Sequence, residues 1–460
     1  MKKILCFLLA VFLILPLWAC EKKSGNLWEK KDALPTSGNW KLGCNVTLKS
    51  TATISKDLVL DLNGYTVTRK VTKQDAQQQA ITVAEGVSLT VKDSAKKGKM
   101  VPAFDRAIRS TGAAVLIWGC KDSTITIDGG TFDCSKAESI YKDNFGGAIA
   151  TEGKLIVNGG TIIGYRNIAS TGLTDKDVED AKELLVPGGG TVIAGWEGSE
   201  VVVNGGKFVG GGCRYNSGGV IASSGNLTIN GGSFSLDPDR TQEVLAAPNG
   251  GVIYMSKAEG NTLTINGGTF SSYKTTYNGG VILTQVPTLI TGGTFNGTQA
   301  YFGGIIMADD CDLTIEGGDF IGPGGKTHEQ SGGLVYSSGA KLTISGGSFK
   351  GGAAVKFGAN IYYLRAGGEM VISGDAYING GFTIHGTAET PAKLTIRDKV
   401  VIDNTDAAPK APWNIRMRYT QLFIADETEA CKTSQKENVD VSLIYDDNGV
   451  INGIIDGMPQ

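Results

Sequence analysis

Histidine is nearly missing from this chain, with 2 in 460 residues, at positions 328 and 385. That scarcity leaves a Ser/His/Asp triad or a His-based zinc centre without support. Charge is sparse too: charged residues make up 19% and the formal net charge is −3. Without a basic stripe to release counterions, nucleic-acid binding is excluded. Long apolar runs are also absent. The one candidate, Ile4 to Leu17, is too short to span a bilayer. Setting Cys6 and Cys20 aside leaves Cys44, Cys120, Cys134, Cys213, Cys311 and Cys431, irregularly spaced and with no CxxC. They are read as buried thiols packing as small hydrophobes, and Cys120 and Cys134 are the pair to test for a disulfide.

The N-terminus reads as a processed leader. Lys2 and Lys3 precede the apolar run, and Leu17-Trp18-Ala19-Cys20 closes it. A small residue followed by Cys resembles a bacterial lipobox. The resemblance implies a signal peptide over 1–19, cleavage before Cys20 and lipidation of its thiol. Residues 20–38, polar after Cys20, are expected to form the tether.

Glycine is what the chain has in excess: 66 residues, about twice the usual share. Much of it is written into one phrase. LTINGGSF (227–234), LTINGGTF (263–270), LTIEGGDF (313–320) and LTISGGSF (342–349) are versions of it. Glycine pairs following a strand-like run begin at Gly129, Gly159, Gly205, Gly231, Gly267, Gly292, Gly317 and Gly346, with a degraded copy at Gly374-Asp375. A second set, NFGGAIA, NSGGVIA, PNGGVIY, YNGGVIL, YFGGIIM and QSGGLVY, alternates with the first. Each repeat therefore holds two glycine turns within a floor of roughly 25 residues.

Alternation places the side chains. In LTINGGTF, Leu263 and Ile265 face one way and Thr264 the other; Asn266-Gly267-Gly268 turns the corner, and Phe270 returns inward. The Ile265 position stays aliphatic (Ile127, Val157, Val203, Ile229, Ile290, Ile315, Ile344, Ile372). The Phe270 position is Phe132, Phe208, Phe234, Phe295, Phe320 and Phe349, with Ile162 once. A hairpin array needs no such fixed columns. Three unlike short strands in fixed order predict an all-β, three-sided parallel β-helix of about twelve coils over 39–410, a rod of roughly 60 Å. Residues 411–460 lose the motif and are expected to cap the rod. Thr174 to Leu185 is expected to form a short helical insertion, with Thr174 as cap and Val178, Ala181 and Leu185 on one face.

These alternating glycine-strand units resemble the right-handed parallel β-helix superfamily of the pectin-lyase type. The GGAI and GGVI phrases are similar to the repeats of polymorphic outer-membrane proteins and related bacterial surface adhesins. The resemblance implies the fold and leaves the function open, because lyases, hydrolases, tailspikes and adhesins share it. The F-x-x-N half of the adhesin repeat and a C-terminal translocator barrel are missing here. The polygalacturonase-like phrases N-T-D, D-D, G-H-G and R-I-K do not occur as a set; Asp309-Asp310 stands alone, and Thr383-Ile-His385-Gly lacks its leading glycine.

Length variation is concentrated between the inward Phe and the next GGVI strand. That edge carries Tyr141, Tyr165, Arg166, Arg214, Tyr215, Tyr273, Tyr277, Tyr301 and His328. Tyrosine joins an apolar face to a polar tip, so these residues are the candidate ligand groove; the competing reading is that they cover the glycine corners. Asp309, Asp310 and Asp312 are candidate Ca²⁺ ligands, with turn solvation as the alternative. No catalytic residue and no other cofactor is expected. The expectation is a non-catalytic, lipid-anchored envelope protein, exported to the cell surface, that binds glycans or surface proteins. A polysaccharide lyase or glycoside hydrolase, and a purely structural envelope component, are the alternatives.

Overall fold

The computed structural model describes residues 26–71, 79–104, 116–139, 147–167, 190–211, 217–237, 249–272, 277–298, 300–323, 332–352, 360–380, 382–398, 400–403, 415–418, 420–424 and 444–445. Among them every paired strand is parallel to its neighbour, and the strands form three long sheets of 14, 15 and 13 members. Each coil visits the sheets in one order. One coil, for example, runs through Ile221–Ser223 on face one, Asn226–Ile229 on face two and Ser233–Leu236 on face three. Each strand pairs with its copies one coil before and after. This is the three-sided parallel β-helix expected from the repeat.

The columns are those the alternation predicts. Ile229 pairs with Ile265, Ile265 with Ile290, Ile290 with Ile315 and Ile315 with Ile344. All are fully buried. On face three, the rings of Phe208, Phe234, Phe270, Phe295, Phe320 and Phe349 stack with centroids 4.6–4.8 Å apart and planes within 5°. Strand spacing sets that distance, since identical residues in register repeat at the rise between neighbouring strands. Burying each ring contributes about 1.5–3 kcal/mol. Ile162 interrupts the column between Phe132 and Phe208.

The corner between faces two and three needs both of its glycines, for different reasons. Gly268 has φ of 110°, where a side chain is strained. Gly267 has no such torsion, but a Cβ there would sit 2.9 Å from the carbonyl oxygen of Asn230 on the preceding coil. Asn266 keeps a negative φ, and its side-chain amide links the coils. Asn266 Nδ2 donates to Asn230 Oδ1 (2.8 Å), Asn230 to Asn204, Asn204 to Asn158 and Asn158 to Asp128 (each 2.7 Å). Stacked coils thus align an amide ladder along the corner.

The ends differ from expectation. Strand Asn26–Trp28 pairs with Gly38–Leu42, and the Trp28 and Trp40 rings pack edge to face at 5.0 Å. Residues 26–38 therefore close the bottom of the rod instead of serving as tether. At the other end Ile415–Arg418 pairs with Phe382–His385, and Thr420–Ile424 with Ala392–Ile396. The coils consequently run past residue 410, because KLTI-like alternation returns in TQLFI without its glycine pair. The leader 1–19, Cys20 and the helix expected over 174–185 lie outside the described residues.

Candidate functional site

The corner that the Asn ladder follows also carries an open trough. Its floor is Gly267, Gly268, Gly292, Gly293, Gly318 and Gly347; its walls are Thr269, Thr294, Asp319, Ser348, Asp375 and Tyr377; its volume is about 640 Å³. The cause is local. Glycine pairs on successive coils leave a strip without side chains, and the next residue of each coil points outward beside it. Thr269 pairs with Thr294, Thr294 with Asp319, Asp319 with Ser348 and Ser348 with Tyr377. Thr269, Asp319 and Asp375 are exposed, and Thr294, Ser348 and Tyr377 are half-buried. The Lys350 ammonium lies 5.2 Å above the Tyr377 ring, a cation–π contact that braces this end of the wall.

The amides of the trough's outward rungs are already spent. The amides of Thr269, Thr294, Asp319, Ser348 and Tyr377 each donate to a glycine carbonyl one coil back, at 2.8–2.9 Å. The lining side chains offer a ligand a row of hydroxyls, two carboxylates and one aromatic ring.

The tyrosine-bearing edge proposed from sequence is only partly described. Tyr277 and Tyr301 stand on adjacent coils, 53% and 39% exposed, with ring centroids 6.4 Å apart and planes tilted by 37°. Tyr165 is not a groove residue: it is 3% exposed and belongs to the core. Arg166 lies in a two-residue strand paired with Glu138–Ser139. Tyr141, Arg214, Tyr215, Tyr273 and His328 lie outside the described residues.

The acidic stretch expected to suit Ca²⁺ is divided among separate partners. Asp309 Oδ2 accepts from Gln285 Nε2 (2.9 Å), whose Oε1 in turn accepts from the Tyr254 hydroxyl at 3.4 Å. Asp310 receives Arg365 Nη1 (2.7 Å) and Lys257 Nζ (3.2 Å). Asp312 Oδ1 accepts the backbone N–H of Lys341 (2.9 Å). Among the described residues no three His, Cys, Asp or Glu side chains converge as a metal site. The Arg365 hydrogen bond, then that from Lys257, holds the Asp310 carboxyl below its ordinary range. Burial pushes the Tyr254 and Tyr336 hydroxyls up, and the charge of Asp309 adds to it.

Cys120 and Cys134 are not bonded to each other. They follow strands on different faces, Ile117–Gly119 and Thr131–Asp133, and so sit at different corners of one coil. His385 lies on face one, sharing a 3.1 Å hydrogen bond through Nδ1 with the Tyr362 hydroxyl, and is not among the residues lining the trough.

The trough itself was missed in the sequence. Its signal was present, however, in the residue between each glycine pair and the inward Phe: Thr269, Thr294, Asp319 and Ser348. No protein-family model, curated protein or solved structure matches this chain.

Proposed function

We propose that this protein is a non-catalytic, lipid-anchored surface protein of the bacterial envelope, a rod of the pectin-lyase type that holds a polysaccharide against its flank. The observation that carries the reading is the trough over Gly267 to Tyr377: open, side-chain-free along its floor, and walled by hydroxyls, carboxylates and a ring. Sugar recognition calls on hydroxyl-to-hydroxyl and hydroxyl-to-carboxylate hydrogen bonds together with an aromatic platform. Tyr277 and Tyr301 supply a second exposed aromatic surface for a glycan or a neighbouring protein. The lipobox at Leu17-Trp18-Ala19-Cys20 supports the anchor and the exported location.

A glycan array probed with residues 21–460 tests the binding. Bound polysaccharide, lost on replacing Tyr377 and Asp319, supports it. An array that stays blank for every glycan favours a purely structural envelope role instead. Labelling with palmitate, and its loss in Cys20→Ser, tests the anchor.

One observation favours a second reading. Asp319 and Asp375 face the same trough, and glycoside hydrolysis works with two carboxylates across one bond. New reducing ends on incubation with polysaccharide, abolished by Asp319→Asn or Asp375→Asn, would make the protein a hydrolase. Unsaturated products absorbing in the ultraviolet would make it a lyase.

A further inference from the structure

The five outward rungs Thr269, Thr294, Asp319, Ser348 and Tyr377 hold one register position on successive coils. Directly inside the first four, Phe270, Phe295, Phe320 and Phe349 repeat at 4.6–4.8 Å. The trough therefore runs along the rod axis for four rises, roughly 19 Å.

A peptide suits it poorly. The rung amides are already bonded to glycine carbonyls, so no strand can be added through them. Like-facing side chains of an extended peptide also recur only every ~6.6 Å, out of step with rungs ~4.8 Å apart. An extended β-1,4-linked pyranose chain advances by roughly one rung per ring with alternate rings turned over, so the same group returns at about every second rung, the separation of the coils that carry Asp319 and Asp375.

The charge of the wall narrows the class. The lining residues include two carboxylates, Asp319 and Asp375, and neither lysine nor arginine. Asp375 Oδ1 lies 3.2 Å from where a Cβ on Gly346 would stand, so this carboxylate leans back onto the coil that carries Ser348. Asp319 stands one coil earlier. The two thus flank the Ser348 rung, with Glu316 exposed at the same corner. The ammonium of Lys350 is directed to the Tyr377 ring. A polyuronate would bring like charge to this wall; a chain bearing amines would bring the opposite charge.

Resting on the binding reading above, we infer that the trough takes an extended β-linked amino-sugar chain with free amines, lying parallel to the rod axis. Its ammonium groups sit at Asp319 and Asp375, and one ring lies against Tyr377.

The test is calorimetric titration of residues 21–460, which keep every described coil, with three hexamers: β-1,4-glucosamine, its N-acetylated counterpart and oligogalacturonate. The glucosamine hexamer should bind about 5-fold or more tightly than the N-acetylated one at low salt, as expected for exposed ion pairs. That preference should vanish near 0.5 M salt, on the order of the range where screening becomes short, and in the Asp319→Asn/Asp375→Asn double variant. Tyr377→Ala should weaken both sugars alike. Glucosamine trimer should bind more weakly than tetramer, and hexamer little better than tetramer. Equal binding of the two neutral and amine-bearing hexamers, or a preference for oligogalacturonate, overturns the inference while leaving polysaccharide binding intact. Failure of all three hexamers to bind overturns the inference, and a glycan array blank for every glycan then overturns polysaccharide binding as well.

Discussion

The rings of Phe270 and Phe295 lie 4.8 Å apart with planes 5° from parallel, although 25 residues separate them in the chain. Neither ring chose that spacing. It is the distance between paired strands, and the rings inherit it because Thr269–Ser271 and Thr294–Asn296 pair in register. Phe270→Ala should therefore open a cavity that the rigid stack cannot collapse, at a cost of about 3–5 kcal/mol. Phe270→Ile, which copies the natural break at Ile162, should cost less. Denaturant midpoints of the two variants check the order; a Phe270→Ala midpoint equal to that of the parent would show the column to be energetically idle.

The two glycines of the corner should fail in different ways. Gly268→Ala forces a side chain into φ of 110°, a strain of order 1–3 kcal/mol. Gly267→Ala presses on the Asn230 carbonyl oxygen at 2.9 Å, so the coils must part locally. Both should lower the melting temperature. Only Gly267→Ala should also disturb the Asn230–Asn266 amide bond, visible as a shift of those side-chain amide resonances by NMR.

Asp310 titrates below its ordinary range because Arg365, then Lys257, bind its charged form. A carboxyl lowered on folding contributes stability above the unfolded value of 3.8, and that contribution is lost as pH falls through the lower folded value. Arg365→Gln should bring the Asp310 midpoint back up toward the ordinary range in a carboxyl-carbon NMR titration. Added salt should do the same in part, since the group is exposed and screened. An unmoved midpoint in Arg365→Gln would rule out this cause.

Cys311 behaves oppositely. Burial pushes its thiol up to about 12 from 9.0, against a lowering hydrogen bond with the Thr284 side chain. The folded protein should leave Cys311 unmodified by iodoacetamide at pH 8, while the unfolded chain reacts. Because the folded value is raised, the contribution to stability is complete below pH 9 and declines as pH rises toward 12. Rapid labelling of Cys311 in the native state, read by peptide mass, would contradict the burial.

The tyrosine pair offers a contrast. Tyr277→Ala and Tyr301→Ala remove rings that are 53% and 39% exposed, so each should change unfolding free energy by no more than about 0.5 kcal/mol. If that surface engages a ligand, binding drops while the melting temperature stays. A large loss of stability instead would mean that the rings seal the corner.

How much the amino-acid sequence determined by itself follows from what a solenoid repeats. Phe234, Phe270 and Phe295, or Ile229, Ile265 and Ile290, recur at equivalent points of each coil, and identical coils can bury identical residues only by stacking them in register. The fold, the order of the three faces and the inward columns were therefore legible. The trough was decided by tertiary structure. Its walls run from Thr269 to Tyr377, 108 residues apart in the chain, and share one flank only through coil stacking, over glycines whose contribution is the absence of a side chain. The same stacking drew Tyr165 into the core, sent Asp309, Asp310 and Asp312 to separate partners, and kept Cys120 and Cys134 at different corners. Sequence proximity governs the strand; register between coils governs which side chains meet.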